Sequence, residues 1–231
     1  VARPRQGEAA VTRLVRRVLA LAVLAAAWSA PSVAQVRNWP AEAAPKPLAA
    51  RPVSFPPYEV RTLPNGLRVV VVAHHEQPAV SLRLLVGAGT AYDMSPKLGV
   101  AHMVASMLDQ GTLTRTARQI AESVDAIGGD LVIGAGTDVT VASLTALRDR
   151  VADGLDLLAD IVQAPAFRPD EIERQRAQWR SALRVSYQDP DYVASVVVKR
   201  LVYGLHPYGF PAQGTPASVE RLTRADLVDF H

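Results

Sequence analysis

Residues 99–112 read GVAHMVASMLDQGT, and the apolar character of this segment predicts the structure around it. From Leu98 to Leu108 the chain is apolar apart from Gly99, His102 and Ser106. A continuous apolar run of this length is typical of a helix that is buried on most of its surface. We therefore predict a buried helix from Leu98 to Leu108.

Two strands are predicted upstream of this helix. A turn at Leu63–Leu67 leads into a valine-rich strand, Arg68–Ala73. After a polar turn at His74–Pro78, apolar residues alternate with others over Val80–Val86. This period of two indicates one buried and one wetter face, which is typical of antiparallel pairing. We predict that the two strands form an opening hairpin.

A helix, two strands and then several helices are predicted downstream. Thr116 and Gln119 have the spacing of a capping box, and Gly128-Gly129 ends the helix that they begin. The two strands are predicted at 130–133 and 138–144. Apolar stripes at helical spacing predict the later helices at 147–162, 172–183, 191–201 and from Thr223. This order indicates an α+β fold, with an antiparallel or mixed sheet covered by helices.

Composition excludes several functional classes. The 231 residues, of which 49% are hydrophobic, suffice for one large domain with a core. The chain has no cysteine, which excludes disulfides, thiolate metal ligands and a cysteine nucleophile. Five arginines and one glutamate give residues 1–34 a net charge of +4, whereas the whole chain carries +3. The remainder carries −1, so it has no basic surplus for nucleic acid.

The first 57 residues predict an exported protein. In residues 1–34, arginines precede the apolar run Val18–Trp28 and small residues follow it, which is the pattern of a signal peptide. The alternative, a membrane anchor, is disfavoured because 11 apolar residues are too few to span a bilayer. Residues 35–57, rich in proline and alanine, predict an extended arm, and residues 58–231 the folded domain. We predict a periplasmic or secreted protein that keeps no membrane span after signal cleavage.

Three shorter motifs carry weak functional signals. Gly87-Ala88-Gly89 and Gly134-Ala135-Gly136 follow strands, but both lack the third glycine and the immediate helix of a dinucleotide loop, so we interpret them as strand-end turns. His74 and His75 beside Glu76 could hold a metal adventitiously, although an exposed polar turn is the simpler interpretation. No Gly-x-Ser-x-Gly sequence supports a serine nucleophile.

Around its central helix the chain resembles the insulinase/pitrilysin family of inverted zinc peptidases. That family places His-x-x-Glu-His on the helix that corresponds to Leu98–Leu108, and Gly-Thr follows it, as here at Gly111-Thr112. In the motif, two imidazoles on one helical face hold Zn²⁺, and the glutamate acts as general base on the bound water. The family's third ligand is a glutamate from a later helix.

The resemblance covers about residues 58–231. Its other motifs occur in family order, and they are the turn at 63–67, the double-glycine hairpin at 128–140, the segments at 155–160 and 165–167, Asp189-Pro190, the loop at 206–215 and the segment at 222–227. Family subunits usually carry two α+β halves. The resemblance implies one metallopeptidase-like half-domain, truncated before its last strand or strands, with a sheet edge open to association.

The zinc motif departs from the family pattern on the first helix. Only His102 remains, because Ala105 replaces the general base and Ser106 replaces the second histidine. An open catalytic zinc site needs three protein ligands and a water molecule. We therefore predict that His102 is a partly buried helix residue with a hydrogen-bond partner.

The later motif positions depart in the same way. The family spacing places the third ligand at Ala182, and the glutamate usual seven residues earlier is Gln175, beside a retained Arg176. Gln175 and Ala182 are predicted to share a helical face with Ile172 and Trp179. In the family's substrate-side strand, Val132-Ile133 replaces an Asn-Ala pair. We predict no catalytic residue and no metal ligand at the degenerate motif positions, which are His102, Ala105, Ser106, Gln175 and Ala182.

Three functions remain open at this point. Inactive chains of the family commonly pair with zinc-bearing ones, and the pair encloses a chamber for unfolded peptides. The resemblance thus implies a non-catalytic subunit without a cofactor of its own, which acts with a zinc-bearing partner in peptide degradation or processing. The alternative is a structural or scaffold protein with no peptidase role. A third function is an active metalloendopeptidase with substitute ligands.

Overall fold

The computed structural model describes residues 55–231, so the predicted signal peptide and most of the predicted arm lie outside the described residues. The elements are β1 (Tyr58–Thr62), β2 (Arg68–Val72), β3 (Ala79–Val86), α1 (Val100–Met107), α2 (Ala117–Ala126), β4 (Asp130–Ala135), β5 (Thr140–Leu147), α3 (Val151–Gln163), α4 (Pro169–Ser186), α5 (Pro190–Tyr203), α6 (Pro216–Arg221) and α7 (Arg224–Phe230). Small antiparallel sheets with helices confirm the predicted α+β class. Within residues 55–231, no helix combines the length and the apolar character needed to cross a membrane.

Three strands form an antiparallel sheet in the order β3-β5-β4. One face of β5 is buried, because Ala142, Leu144 and Ala146 are at most 4% exposed. The opposite face is polar, and there the Arg83 Nε donates to the Ser143 Oγ at 3.4 Å. The period of two predicted for β3 is confirmed by its alternating burial.

The opening hairpin differs from the prediction. β2 pairs with β1, which sequence analysis did not identify as a strand, and the described residues show no pairing between β2 and β3. The β1–β2 turn contains Gly66, with φ +85°, and Asn65, whose Oδ1 accepts from the Leu67 N–H at 3.1 Å. His74–Pro78 therefore connects two separate sheets. Alternation reports which face of a strand is buried and does not identify its partner.

The boundaries of the helices follow local chemistry. The capping box of α2 is confirmed, because the Thr116 hydroxyl accepts from the Gln119 N–H at 3.3 Å and the Gln119 side chain accepts from the Thr116 N–H at 2.9 Å. After α2, Gly128 has φ +61°, which turns the chain towards β4. The helix predicted from Leu147 begins at Val151, since Leu147 still pairs in β5.

The core lies between the sheet and the inner faces of the helices. Its largest fully buried apolar side chains are Met103, Met107, Leu144, Leu157, Ile161, Leu183, Val219, Leu222 and Leu227. The helix α1 contributes six buried residues out of eight, as the sequence predicted for this segment. By contrast, α5 contributes none, and β1 and β2 are exposed at nearly every position.

Candidate functional site

The start of α1, the helix that carries the degenerate metal motif, is held by a buried carboxylate. Asp93 accepts hydrogen bonds from the backbone N–H groups of Gly99 at 2.6 Å and Ala101 at 3.0 Å. Burial raises the pKa of Asp93 to about 6, although both hydrogen bonds act in the opposite direction. Gly99 has φ +93°, and a Cβ there would lie 3.1 Å from the carbonyl oxygen of Gln213. The position of α1 is therefore fixed before the motif begins.

The side chains at the three motif positions on α1 offer few groups that could bind a metal or transfer a proton. His102 and Ser106 are half-buried, and Ala105 is 2% exposed. The Ser106 hydroxyl donates to the carbonyl oxygen of Met103 at 2.9 Å, so its proton is used by its own helix. The methyl group of Ala105 can neither accept nor donate a proton. Only the His102 imidazole can act as a metal ligand in the manner of the family motif.

The helix α4, which packs against α1, carries the other two positions. Ile172 and Trp179 are buried and Gln175 is half-buried. Ala182 is exposed, although its spacing of seven residues after Gln175 and three after Trp179 keeps it on this side of the helix. Leu183, which lies four residues after Trp179 and therefore above it on the same face, takes the buried place.

The His102 imidazole packs against the Trp179 indole. The two ring centroids are 4.3 Å apart, and the ring planes are inclined by 58°. Burial lowers the pKa of His102, and no hydrogen bond contributes to the shift. The hydrogen-bond partner predicted for His102 is not found within residues 55–231, and an aromatic contact takes its place.

These residues do not fit a zinc ion. Catalytic zinc takes three protein ligands and leaves one position for water, whereas this site offers one imidazole beside a methyl group and a committed hydroxyl. Residues 55–231 bring together no three His, Asp or Glu side chains that could hold a metal. A carboxylate that could take a proton from bound water is also missing at Ala105, so these residues support no hydrolytic step.

Arg176, next to Gln175 on α4, has a structural role in the folded domain. Its buried guanidinium donates to the carbonyl oxygens of Glu220 at 3.0 Å and Leu222 at 2.7 Å, and also to that of Val219. These carbonyl groups lie at the end of α6, where a helix leaves its last acceptors without internal partners. Arg176 therefore ties α4 to the α6–α7 segment.

The strand β4 is the edge of the sheet next to α1, against which it packs. Leu131 and Ile133 point to the core, while Val132 is 58% exposed on the other face. The outer edge of β4 pairs with no strand among the described residues. An extended peptide can add to such an edge through backbone hydrogen bonds.

The shorter motifs lie away from this site or serve the local fold. His74, His75 and Glu76 are exposed. The loop at His206 is ordered by its own contacts, since the His206 Nδ1 accepts from the Tyr208 N–H at 3.3 Å. The Tyr208 hydroxyl donates to Asp138 at 2.6 Å, which joins this loop to the β4–β5 turn.

Sequence analysis assigned no role to Asp93 and no special role to Trp179. The signal for Asp93 was present, because an acidic residue ahead of a buried helix suits the unpaired N–H groups at its start. For Trp179 the sequence showed only a large aromatic residue four positions after Gln175. Its contact with His102 spans 77 residues and could not be read from local spacing.

Fold and site together define a metallopeptidase-like half-domain with alanine and serine at positions 105 and 106 of the motif helix. Residues 68–215 match the family described as Insulinase (Peptidase family M16). The chain belongs to this family.

Named relatives agree with this assignment. The chain is 32% identical over 170 residues to an uncharacterized zinc protease of Mycobacterium leprae, covering 74% of this chain and 38% of the relative. It is 29% identical to the mitochondrial-processing peptidase subunit alpha of Solanum tuberosum, covering 74% and 34%. The crystal structure of a peptidase M16 inactive domain from Pseudomonas fluorescens has 31% identity and a TM-score of 0.72, covering 75% and 42%. The chain thus spans about two fifths of the length of these proteins.

Proposed function

We propose that this chain is a non-catalytic subunit of an insulinase-family zinc peptidase. It helps to form the chamber that holds unfolded peptide, and a zinc-bearing partner of the same family performs the cleavage in peptide degradation or processing. The proposal includes export to the periplasm or the exterior, which rests on the signal-peptide pattern of residues 1–34.

The observation that carries the proposal is the contrast between α1 and its motif. The helix keeps six buried residues and a dedicated capping carboxylate, Asp93, while Ala105 and Ser106 remove the chemistry. The helix is thus kept in place by the core and by Asp93, although its motif lacks the ligands. Retention of the framework without the ligands supports a role in binding and shape.

The free edge of β4 supports a role in holding peptide. Val132 and Gly134 lie on the exposed side of this strand, and no atom comes within 4 Å of where a Gly134 Cβ would be. A peptide that adds to β4 gains backbone hydrogen bonds regardless of its sequence, which suits unfolded substrates.

The relatives support a role in an assembly. One of them is named as a subunit of a processing peptidase, and a structural neighbour is named as an inactive domain. A chain without metal ligands needs a second, zinc-bearing chain before it can take part in hydrolysis.

The first experiment measures zinc per chain and peptide cleavage for the full chain after signal removal, alone and with a zinc-bearing family member from the same source. We expect zinc near zero and no cleavage of an internally quenched unfolded peptide by this chain alone. The mixture should form a stable complex and cleave faster than the zinc-bearing chain by itself. Zinc near one per chain with cleavage by this chain alone would instead support the active-peptidase function.

A pair of matched variants tests the peptide-holding role. Val132→Asp places a charge on the edge strand β4, and Leu85→Asp places the same charge on β3, the opposite edge of the sheet, at a residue of similar exposure, 59%. We expect Val132→Asp alone to weaken binding of the labelled peptide several-fold, measured by fluorescence anisotropy. If neither the chain nor its complex binds peptide, the scaffold function is favoured.

A further inference from the structure

Trp179 has surroundings that are unusual for a buried tryptophan. The side chain is 8% exposed and belongs to the same core cluster as Met103 and Leu183. Its Nε1–H has no hydrogen-bond partner among the described residues, although buried tryptophans usually find one. An unpaired buried donor is destabilising. The indole therefore contributes here through the space that it fills and not through a hydrogen bond.

That space lies between the two helices that carry the metal motif. On α4, Trp179 comes four residues after Gln175 and three before Ala182, and its ring contacts His102 on α1. A zinc ion sits about 2.0–2.1 Å from a ligating imidazole nitrogen, so a carboxylate from α4 would have to approach the His102 ring closely. With the ring centroids 4.3 Å apart, the indole already occupies the approach from α4 to His102.

We propose that Trp179 is a plug that closes the degenerate site to metal. The site then cannot bind metal for two separate reasons. The ligands are missing, and an indole fills the space between α1 and α4. Restoring the ligands alone leaves this space filled. This inference concerns the site itself and does not rest on the proposed function of the chain.

The test compares two sets of substitutions in the full chain. The first set, A105E with S106H and A182E, restores the family motif around His102 and keeps Trp179. The second set adds Trp179→Val. We expect the first set to hold no stoichiometric zinc, and the second to hold one zinc per chain at least tenfold more tightly, measured by competition with a chromophoric chelator.

A matched control separates loss of the plug from general loosening of the core. Ile172→Val on the same helix also shortens a buried side chain, at 3% exposure, and Ile172 lies almost two turns from Trp179. Added to the three substitutions of the first set, this substitution should leave zinc binding absent. Tight zinc binding by the first set, or none by a folded second set, overturns the proposal.

A second measurement needs no restored ligand and holds even if a multiple variant fails to fold. In the proton spectrum of the otherwise unchanged chain, the indole ring current shifts the His102 ring proton signals. Trp179→Val should move the signals of one histidine and leave those of His74, His75, His206 and His231 in place. Unchanged signals for all five histidines would show that the two rings are not in contact and would overturn the proposal.

Discussion

Valine occupies opposite environments in two regions of this protein. On α1 and α6 the side chains of Val100, Val104 and Val219 are 0–5% exposed. In the β1–β2 hairpin, Val60, Val70, Val71 and Val72 are 51–54% exposed. The valines of α1 and α6 are covered by neighbouring elements of the core, whereas these four hairpin valines are covered mainly by their own two-stranded sheet.

The comparison shows that apolar residues indicate a surface that has to be buried. They do not identify the segment or the partner protein that buries it. A two-stranded hairpin is at best marginally stable in water, and an exposed apolar patch on a protein often marks an interaction surface. The same holds for α5, where Leu201 and Val202 are 79% and 68% exposed. Stability is thus concentrated around α1 and α4, and the hairpin and α5 offer surface for association.

Replacing a side chain at the centre of the helical region should have the largest effect. Leu183 on α4 is 0% exposed, and Leu183→Ala should lower the free energy of unfolding by about 3–4 kcal/mol through lost burial and a residual cavity. The control is Val185→Ala on the same helix, where the side chain is 69% exposed and the expected change is below about 0.5 kcal/mol. Urea unfolding measures both, and equal effects would contradict the comparison.

Removing the buried guanidinium should have the next largest effect. Arg176→Met leaves the carbonyl oxygens of Glu220 and Leu222 without their donor, so we expect a loss of about 2–3 kcal/mol in unfolding free energy. Arg180→Met, which removes an exposed ion pair with Glu220, should lower it by less than about 1 kcal/mol. If the two variants unfold at the same urea concentration, the tie between α4 and α6 is unimportant.

Asp93 should make stability depend on pH in the helical region. Its pKa is about 6 in the folded chain against 3.8 for a free aspartate, so the folded state binds more protons between these values. The free energy of unfolding should therefore decrease as pH rises through this window, by about 1–2 kcal/mol once partial solvent screening is allowed for. Asp93→Asn should remove this contribution, which urea unfolding at pH 4.5 and pH 7.5 would reveal as a smaller difference than in the unchanged chain. A slope that Asp93→Asn leaves intact would assign it to other groups.

The smallest effect on stability is expected in the hairpin. Val70→Thr with Val72→Thr keeps β-branched side chains and removes exposed apolar surface, so the free energy of unfolding should change by less than about 0.5 kcal/mol. Association should weaken, as measured by the concentration dependence of the sedimentation coefficient. A hairpin variant that unfolds as readily as Leu183→Ala would mean that these valines are covered within the chain after all.

Much of the fold could be predicted from local patterns. Thr116 and Gln119 predicted the capping box because both of its hydrogen bonds lie within four residues. The partner of β2 could not be predicted in this way, since pairing depends on distant segments and the pattern of β3 fits several partners equally well. The strand β1 was missed because Tyr58–Thr62 alternates too briefly to give a clear period.

In the candidate site, as in the fold, local features could be predicted and contacts between distant segments could not. The motif positions His102, Ala105 and Ser106 were identified because the family resemblance fixes their spacing along one helix. Spacing placed Ala182 near Trp179 on α4, but it did not predict that Ala182 is exposed while Leu183 is buried. The Trp179 contact was missed because it depends on how α1 and α4 cross.

The strand order has a consequence for how the chain acquires its sheet. β5 is the middle strand, yet it is synthesised last of the three, and β3 ends at residue 86 while its partner begins at residue 140. Until β5 has been made, β3 and β4 have no neighbour with which to pair in this sheet, and closing a loop of this length slows their meeting. The three strands should therefore become protected from hydrogen exchange together, in one late step that waits for Leu147.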